Sequence, residues 1–406
     1  MSAAQRIVRV QIVQPVVPLY RQPLFDALAR LGDLDLRIDA SPSAPGSPAS
    51  VACADAAVDL AHPCLELIPD QLYWQRGLRL RAGLGRGDVL VIDGNPRYLS
   101  NLPLVRAARH RGVAVAWWGQ GWGATSVKWR TALRIWLMRR ADVLMLYTDR
   151  EVEEFAALGF ERERLFGLNN ALDQAPIEAA RTAWPAERLQ RFQREHGLLD
   201  RPLLLFCGRL RSDPRTDLDV ALRALVALRE RHPRCLLAII GTGPDEARLR
   251  ALARSLGVEA QLSWRGAIYG ESELAPWFLS ARALVYPGSI GLSLLHAFGY
   301  GLPVITHDRL RNHGPEIAAL AARVNGLLHP RGDARALADC AAALLVRDDL
   351  RALMSAAAYH TVSSRYNLTV MVARFHAAIR AAGALPLATT LPAPRAAADH
   401  AHRPLH

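Results

Sequence analysis

The residues best suited to chemistry lie in the second half of the chain. Arg209 follows the apolar run 203–206 in LLLFCGRL, and Arg215 follows in RSDPRTD. A second apolar run, 235–240, opens into the glycine-rich turn GTGP, which contains Gly243. The stretch 283–308, ALVYPGSIGLSLLHAFGYGLPVITHD, then carries Gly288, Ser289, Ile290, Gly291, Leu292 and His296, and Glu316 follows in HGPEI. Arginine offers fixed positive charge. A glycine- and serine-rich turn running into a helix aims backbone N–H groups and the positive end of the helix at one point. Both features suit an anion, although for 283–308 alone an ordinary strand-to-helix connection reads equally well. A histidine on a helix offers a ring nitrogen to a hydroxyl or is a satisfied core residue.

Positioning these residues takes a series of strand-turn-helix units. Strand-like runs at 203–206, 235–240, 261–265, 283–286 and 304–306 alternate with helical stretches, and a short strand NGLLHP follows at 325–330. Such alternation argues for a parallel, doubly wound sheet. The first half repeats the pattern, with strands at 7–13, 34–40, 88–92, 113–118 and 142–147. No GxGxxG follows its first strand, which disfavours a dinucleotide there. Tyr20 and Arg21 precede its first helix, Asn95 follows the third strand in DGNPR, and Gln120 lies in WWGQGWG at the carboxyl end of the fourth. Open α/β sheets place ligands at those carboxyl ends.

The segment 174–201 is charged and helical, so the domain boundary is read near Asn170. This gives domains 1–170 and 171–383, whose last helices could pack back on the first domain, and a disordered tail, 384–406. The histidines of that tail lack the cysteine or carboxylate company of a metal site. In SVKWRTALRIWLMRR, arginines and Lys128 are interleaved with tryptophan and leucine, with no acidic residue among them. A membrane-surface helix and a core helix that snorkels its arginines both fit 126–140.

The chain of 406 residues is long enough for two cores at a hydrophobic fraction of 51%. A net charge of +12, almost all of it from arginine, points to anionic partners. No nucleic-acid-reading motif accompanies it. Five scattered cysteines without CxxC spacing favour a reducing compartment over a disulfide framework or zinc site. No secretory signal and no apolar run of about 18 residues is visible. The expected location is cytoplasmic, with peripheral attachment to the inner membrane face as an option.

Taken in order, strand-GRL, strand-GTGP, strand-RGAI, strand-PGSIGLSLLHAFGYGLPVITHD and NGLL resemble the retaining glycosyltransferases of family 4, from about residue 7 to 382. YRQPLFDALA, LYTDREVEEFAALGF and NNALD look like segments of bacterial surface-polysaccharide members. The resemblance implies the α/β GT-B fold, two Rossmann-like doubly wound parallel-sheet domains facing a central cleft. It also implies transfer of a sugar from a UDP- or GDP-linked donor to a glycan or lipid-linked acceptor, without metal or other cofactor. It gives Arg209 and Arg215 catalytic roles on the donor diphosphate, with Arg215 standing in for a lysine whose place falls on Pro214. It assigns Gly208, Gly243, Ile268, Gly288, Ser289, Ile290, Gly291, Leu292, His296 and Glu316 to the donor, and Tyr20, Arg21, Asn95 and Gln120 to the acceptor side.

The chain departs from the family pattern where two glutamates are usual, at Gly288 and His296. Backbone amides of 289–291 and the imidazole would then do the work of carboxylates, with Glu316 as a further substitute. The same departures leave room for a donor-binding protein without catalysis, or a sugar-nucleotide epimerase on the same scaffold.

Overall fold

A computed structural model describes residues 6–122, 128–211 and 216–385, side chains at 128–130, 132 and 133 excepted. Arg215 and the tail from residue 386 lie outside the described residues. The chain forms two compact units. The first comprises Met1–Leu146, Val152–Phe166 and Phe375–His406, the second Tyr147–Glu151 and Gly167–Arg374.

In the first unit the strands are β1 (Val8–Gln14), β2 (Leu34–Ala40), β3 (Ala57–Asp59), β4 (Cys64–Ile68), β5 (Leu72–Gln75), β6 (Val89–Asp93), β7 (Ala114–Gly119), β8 (Val143–Leu146) and β9 (Leu165–Gly167). A seven-stranded sheet runs β3-β2-β1-β6-β7-β8-β9, and β4 and β5 form a separate antiparallel pair. Helices α1 (Gln22–Ala29), α2 (Asn101–His110), α3 (Lys128–Met138) and α4 (Asp149–Ala157) connect the strands. The chain lays β1, β2 and β3 to one side and then returns to place β6 on the other side of β1, parallel to it. A topological switch point therefore falls between β1 and β6.

The second unit repeats this logic. Helices α5 (Ala175–Thr182) and α6 (Ala186–Glu195) lead into β10 (Leu203–Cys207), β11 (Leu236–Ile240), β12 (Leu262–Gly266), β13 (Ala281–Val285), β14 (Val304–His307) and β15 (Gly326–His329). These make a six-stranded sheet of order β12-β11-β10-β13-β14-β15 in which every neighbouring pair is parallel. The connecting helices are α7 (Leu218–Arg231), α8 (Glu246–Ser255), α9 (Glu271–Ser280) and α10 (Leu292–Gly299). The chain ends in α11 (Ala334–Val346), α12 (Asp348–Ser364) and α13 (Leu368–Ala384). Here the switch point lies between β10 and β13.

The central strands are covered on both faces, which is why they read as unbroken apolar runs. Leu205, Phe206, Ala238, Ile239 and Leu284 are buried, and α7 packs Leu222, Leu225 and Leu228 against this core. Truncating one of these leucines to alanine costs about 2–5 kcal/mol, because the cavity collapses only in part. No helix among the described residues is long and apolar enough to cross a membrane.

Candidate functional site

In open parallel sheets, ligands bind outside the carboxyl ends of the strands at the switch point. In the second unit that place is built from the residues after β10 and after β13. The Gly208 N–H donates to the Ile240 carbonyl at 3.0 Å and the Leu210 N–H to the Thr242 carbonyl at 3.0 Å. The GRL segment is thereby laid against the GTGP turn. The approach is close enough to require glycine. A Cβ on Gly241, whose φ is +137°, would stand 1.9 Å from the Gly208 carbonyl oxygen, and one on Gly243 equally close, 1.9 Å, to that of Leu210. Arg209 leaves this segment exposed, with no hydrogen bond or ion pair among the described residues. Arg248, by contrast, is held by Asp219 and Asp245.

The loop after β13 is fastened from two sides. The Tyr286 N–H donates to the Ile305 carbonyl at 2.9 Å, and the Thr306 hydroxyl donates to the Tyr286 carbonyl at 2.7 Å. Further along, the Ile290 N–H donates to His313 Nδ1 at 3.1 Å, and the Ile290 carbonyl accepts the Gly314 N–H at 2.8 Å. This corrects one expectation: both backbone groups of Ile290 are spent inside the protein and its side chain is fully buried, so it supports the turn. The amides of Ser289 and Gly291 make no hydrogen bond among the described residues and stay available at the start of α10. Gly288 is buried, and Leu292 packs on the core.

Two carboxylates stand beside this loop. Glu316 is buried, accepts a hydrogen bond from Asn170 Nδ2, and brings Oε2 within 3.4 Å of where a Gly291 Cβ would lie. Glu271, the first residue of α9, accepts from His296 Nε2 at 2.9 Å and 3.1 Å through its two oxygens, and from the Tyr300 hydroxyl. Burial pushes the Glu271 carboxyl up, but its bonds to His296 and Tyr300 outweigh this and hold it below the usual carboxylate value. Burial, and to a lesser extent the Glu271 charge, push the Cys207 thiol up to about 12. Glu271 therefore lies close to the carboxyl end of β10. Ile268, half-buried, packs on the core between β12 and α9.

The structure thus gathers Gly208, Arg209, Gly243, Ser289, Gly291, His296 and Glu316 around one switch point. The sequence reading had passed over Glu271, Asn170 and His313. An acidic residue opening a helix in GESEL was the one signal that could have marked Glu271.

The acceptor-side candidates lie in the first unit around its own switch point. Arg21 is buried with its guanidinium 4.5 Å from the ring centre of Trp118 and 5.4 Å from that of Tyr20. Asn95 Oδ1 accepts the Arg97 N–H at 3.2 Å, and the Gln120 carbonyl accepts from Arg134 at 3.3 Å. Asp93, missed from the sequence, ends β6. Burial raises its carboxyl to about 7, against the pull of the Asn95 amide, Arg21 and Arg134, and its Oδ2 is buried without a hydrogen bond among the described residues.

Just after α3, two arginines lie over aromatic rings. The Arg140 guanidinium lies 3.2 Å from the Trp136 ring centre and Arg139 lies over Phe160, while Trp136 remains half exposed. One His/Asp group with metal-like spacing occurs among the described residues, Asp39, Asp59 and His62. Arg37 already bonds both carboxylates there, so a cation's place is filled by a guanidinium.

Residues 201–348 match the family model described as glycosyl transferases group 1. A GDP-mannose-dependent alpha-(1-6)-phosphatidylinositol monomannoside mannosyltransferase of Mycolicibacterium smegmatis is 30% identical over 260 residues, 60% of this chain and 64% of that protein. A D-inositol 3-phosphate glycosyltransferase of Saccharomonospora viridis is 28% identical over 240 residues, 54% of this chain and 51% of that protein. The chain therefore spans between half and two thirds of the length of these relatives. Among solved structures, Anabaena Alr3699/HepE in complex with UDP superposes with a TM-score of 0.65 at 12% identity, covering 91% of this chain and 98% of that one. A glycosyltransferase from Rickettsia africae gives a TM-score of 0.65 at 11% identity, covering 92% and 98%. The fold is GT-B, as the resemblance implied, and the resemblance to the family 4 glycosyltransferases holds, with residues 201–348 matching the group 1 glycosyl transferase model.

Proposed function

We propose that the protein is a retaining glycosyltransferase that takes a sugar from a UDP- or GDP-linked donor held by the second unit. The observation that carries this reading is the β10/β13 switch point, where Arg209 follows β10 and the amides of Ser289 and Gly291 follow β13, all of them without a hydrogen bond among the described residues. As the glycosidic bond breaks, negative charge grows on the leaving diphosphate. Fixed donors and a fixed cation stabilise that charge without reorganising at the moment of reaction. With retention the leaving phosphate takes the acceptor proton on the same face, so the reaction needs no separate base, and Gln120 is not asked to be one. No step calls on a metal ion. The acceptor is a glycan or lipid-linked saccharide of bacterial polysaccharide synthesis, in keeping with the lipid named for the mycobacterial relative. The enzyme works in the cytoplasm, with α3 and its exposed Trp136 resting on the inner membrane face.

A second reading has a specific basis. Gly288 and His296 stand where the family carries carboxylates, which suits a protein that binds the donor and does not turn it over. One experiment separates the two. The purified chain is incubated with a panel of UDP- and GDP-sugars, with and without crude lipid extract and with and without a chelator, and free nucleotide is measured. Acceptor-dependent nucleotide release insensitive to the chelator is the expected result. Donor binding without release supports the silent protein, and conversion of donor without acceptor supports an epimerase. A panel in which nothing binds rejects all three.

A further inference from the structure

We infer that the second unit carries another anion site, at the opposite end of its sheet from Arg209, built for a phosphate monoester. An open pocket of about 510 Å³ lies where the chain enters β10, β11 and β12, and it is lined by Arg194, Arg201 and Arg234 with one carboxylate, Asp200. A volume of that size holds a small phosphorylated molecule whole. Strand β10 has five residues and spans about 16 Å. An anion in this pocket is therefore separate from one held at Gly208 and Arg209.

The three arginines differ in how they are held. Arg201 is half-buried and donates through Nη2 to the Ala260 carbonyl at 2.7 Å and through Nε to the Arg234 carbonyl at 3.4 Å. Two backbone groups thus fix the plane of its guanidinium, while no carboxylate among the described residues pairs with it. Arg194, in the last turn of α6, is exposed and makes no hydrogen bond or ion pair among the described residues. Arg234 stands 3.6 Å from Asp200, with both side chains mostly exposed. A pair of that kind contributes little, so a stronger anion displaces the carboxylate readily. Guanidinium groups meet phosphate oxygens through two parallel hydrogen bonds, and a dianion draws more from three of them than a carboxylate does. Leu199, 55% exposed, and Pro233 supply an apolar wall, which favours an organic monoester over bare phosphate. A free phosphorylated metabolite and the headgroup of phosphatidate both present this chemistry.

The test titrates phenyl phosphate calorimetrically into the full chain at about pH 7.5, where a monoester is largely a dianion, with benzoate as the singly charged comparator. Benzoate is expected to bind at least about 10-fold more weakly. Arg201→Gln and the double variant Arg194→Gln/Arg234→Gln are each expected to lose at least about 10-fold in affinity for phenyl phosphate, the scale of a hydrogen bond to a charged group. Arg209→Ala is expected to change it less than about 2-fold. Thermal unfolding checks the variants, and the double variant, whose altered side chains are exposed, carries the test if Arg201→Gln does not fold. Phosphatidylcholine vesicles with and without phosphatidate separate the two sources. Vesicle binding that requires phosphatidate and is lost in the double variant identifies the lipid, and phenyl phosphate binding without it identifies a free metabolite. A wild type that does not bind phenyl phosphate overturns the inference. Binding that persists in the pocket variants and is lost in Arg209→Ala also overturns it and returns the anion to the other end of the sheet.

Discussion

His313 Nδ1 accepts the Ile290 amide N–H at 3.1 Å while its Nε2 faces the His307 carbonyl at 3.0 Å. The first contact requires Nδ1 to carry no proton, and the second assigns the proton to Nε2, so the donor-side loop is tied to a neutral histidine. His307 stacks on the same ring at 3.9 Å, and His329 lies close enough to influence both. Burial lowers all three imidazoles below their usual value, His307 to about 3, and the Arg331 charge adds to the effect on His307 and His313 while Asp308 works against it on His313 and His329. Because the folded values are depressed, the unfolded chain takes up protons that the folded chain refuses as pH falls below about 6.5. Stability is therefore complete above that value and is lost toward acid, by roughly 1 kcal/mol at about pH 5.5 for His307 and in the same direction for His313 and His329. Thermal unfolding at about pH 7.5 and 5.5 measures the loss. His313→Asn, whose Oδ1 accepts the Ile290 N–H without titrating, is expected to flatten the slope, and an unchanged slope assigns it to other groups.

Arg209→Ala is expected to lower turnover by roughly 100-fold or more, the usual effect of removing one donor to charge that develops in the transition state. Because Arg209 is exposed and bonded to no described residue, its removal leaves the melting temperature unchanged within about a degree. Steady-state kinetics together with thermal unfolding decide the matter. Near-normal turnover removes Arg209 from the chemistry, and a large fall in melting temperature gives it a structural role instead.

Gly243→Ala acts through the backbone. Its Cβ would meet the Leu210 carbonyl carbon at 2.7 Å as well as the oxygen, and both belong to the segment that presents Arg209. The segment must move, so nucleotide affinity is expected to fall at least about 10-fold, with a stability loss of about 1–3 kcal/mol. Gly46→Ala, at a position where a Cβ meets nothing within 4 Å though its φ is +70°, serves as the control for glycine replacement that strains only its own turn. Unaltered nucleotide affinity in Gly243→Ala shows that the turn does not set the position of Arg209.

What the sequence made legible follows from sheet physics. Parallel strands covered on both faces appear as unbroken apolar runs such as LLLFC and LLAII, and glycines that must let two backbones meet appear as GRL and GTGP. These gave the alternating architecture and the register of the motifs. The short strands β3, β4 and β5 escaped because they lack such runs, and β4 is exposed along most of its length. The partners of the two carboxylates escaped for another reason. Glu271 reaches His296 across 25 residues and Asn170 reaches Glu316 across 146, and no local pattern announces a partner that only the folded sheet brings near. Asp93 read as the first residue after the third strand and drew no notice, since its unusual protonation comes from burial that the sequence does not display.

Asn170→Asp is the sharpest test of the second of these contacts. Asn170 is held in place by its backbone, whose N–H donates to the Tyr147 carbonyl at 2.9 Å, so its amide cannot readily turn away from Glu316. Replacing it with alanine deprives a buried carboxylate of one donor, at an expected cost of about 1–3 kcal/mol. Replacing it with aspartate sets two carboxylates against each other at neutral pH, and one of them must bind a proton to relieve the repulsion. The folded state of Asn170→Asp then holds more protons than its unfolded state, so its deficit relative to wild type grows as pH rises from about 5 to about 8. This slope is opposite to that of the buried histidines, and comparing the variant with wild type at each pH isolates it. A deficit independent of pH means that the aspartate has found another partner, and that Glu316 does not depend on residue 170 for its place beside Gly291.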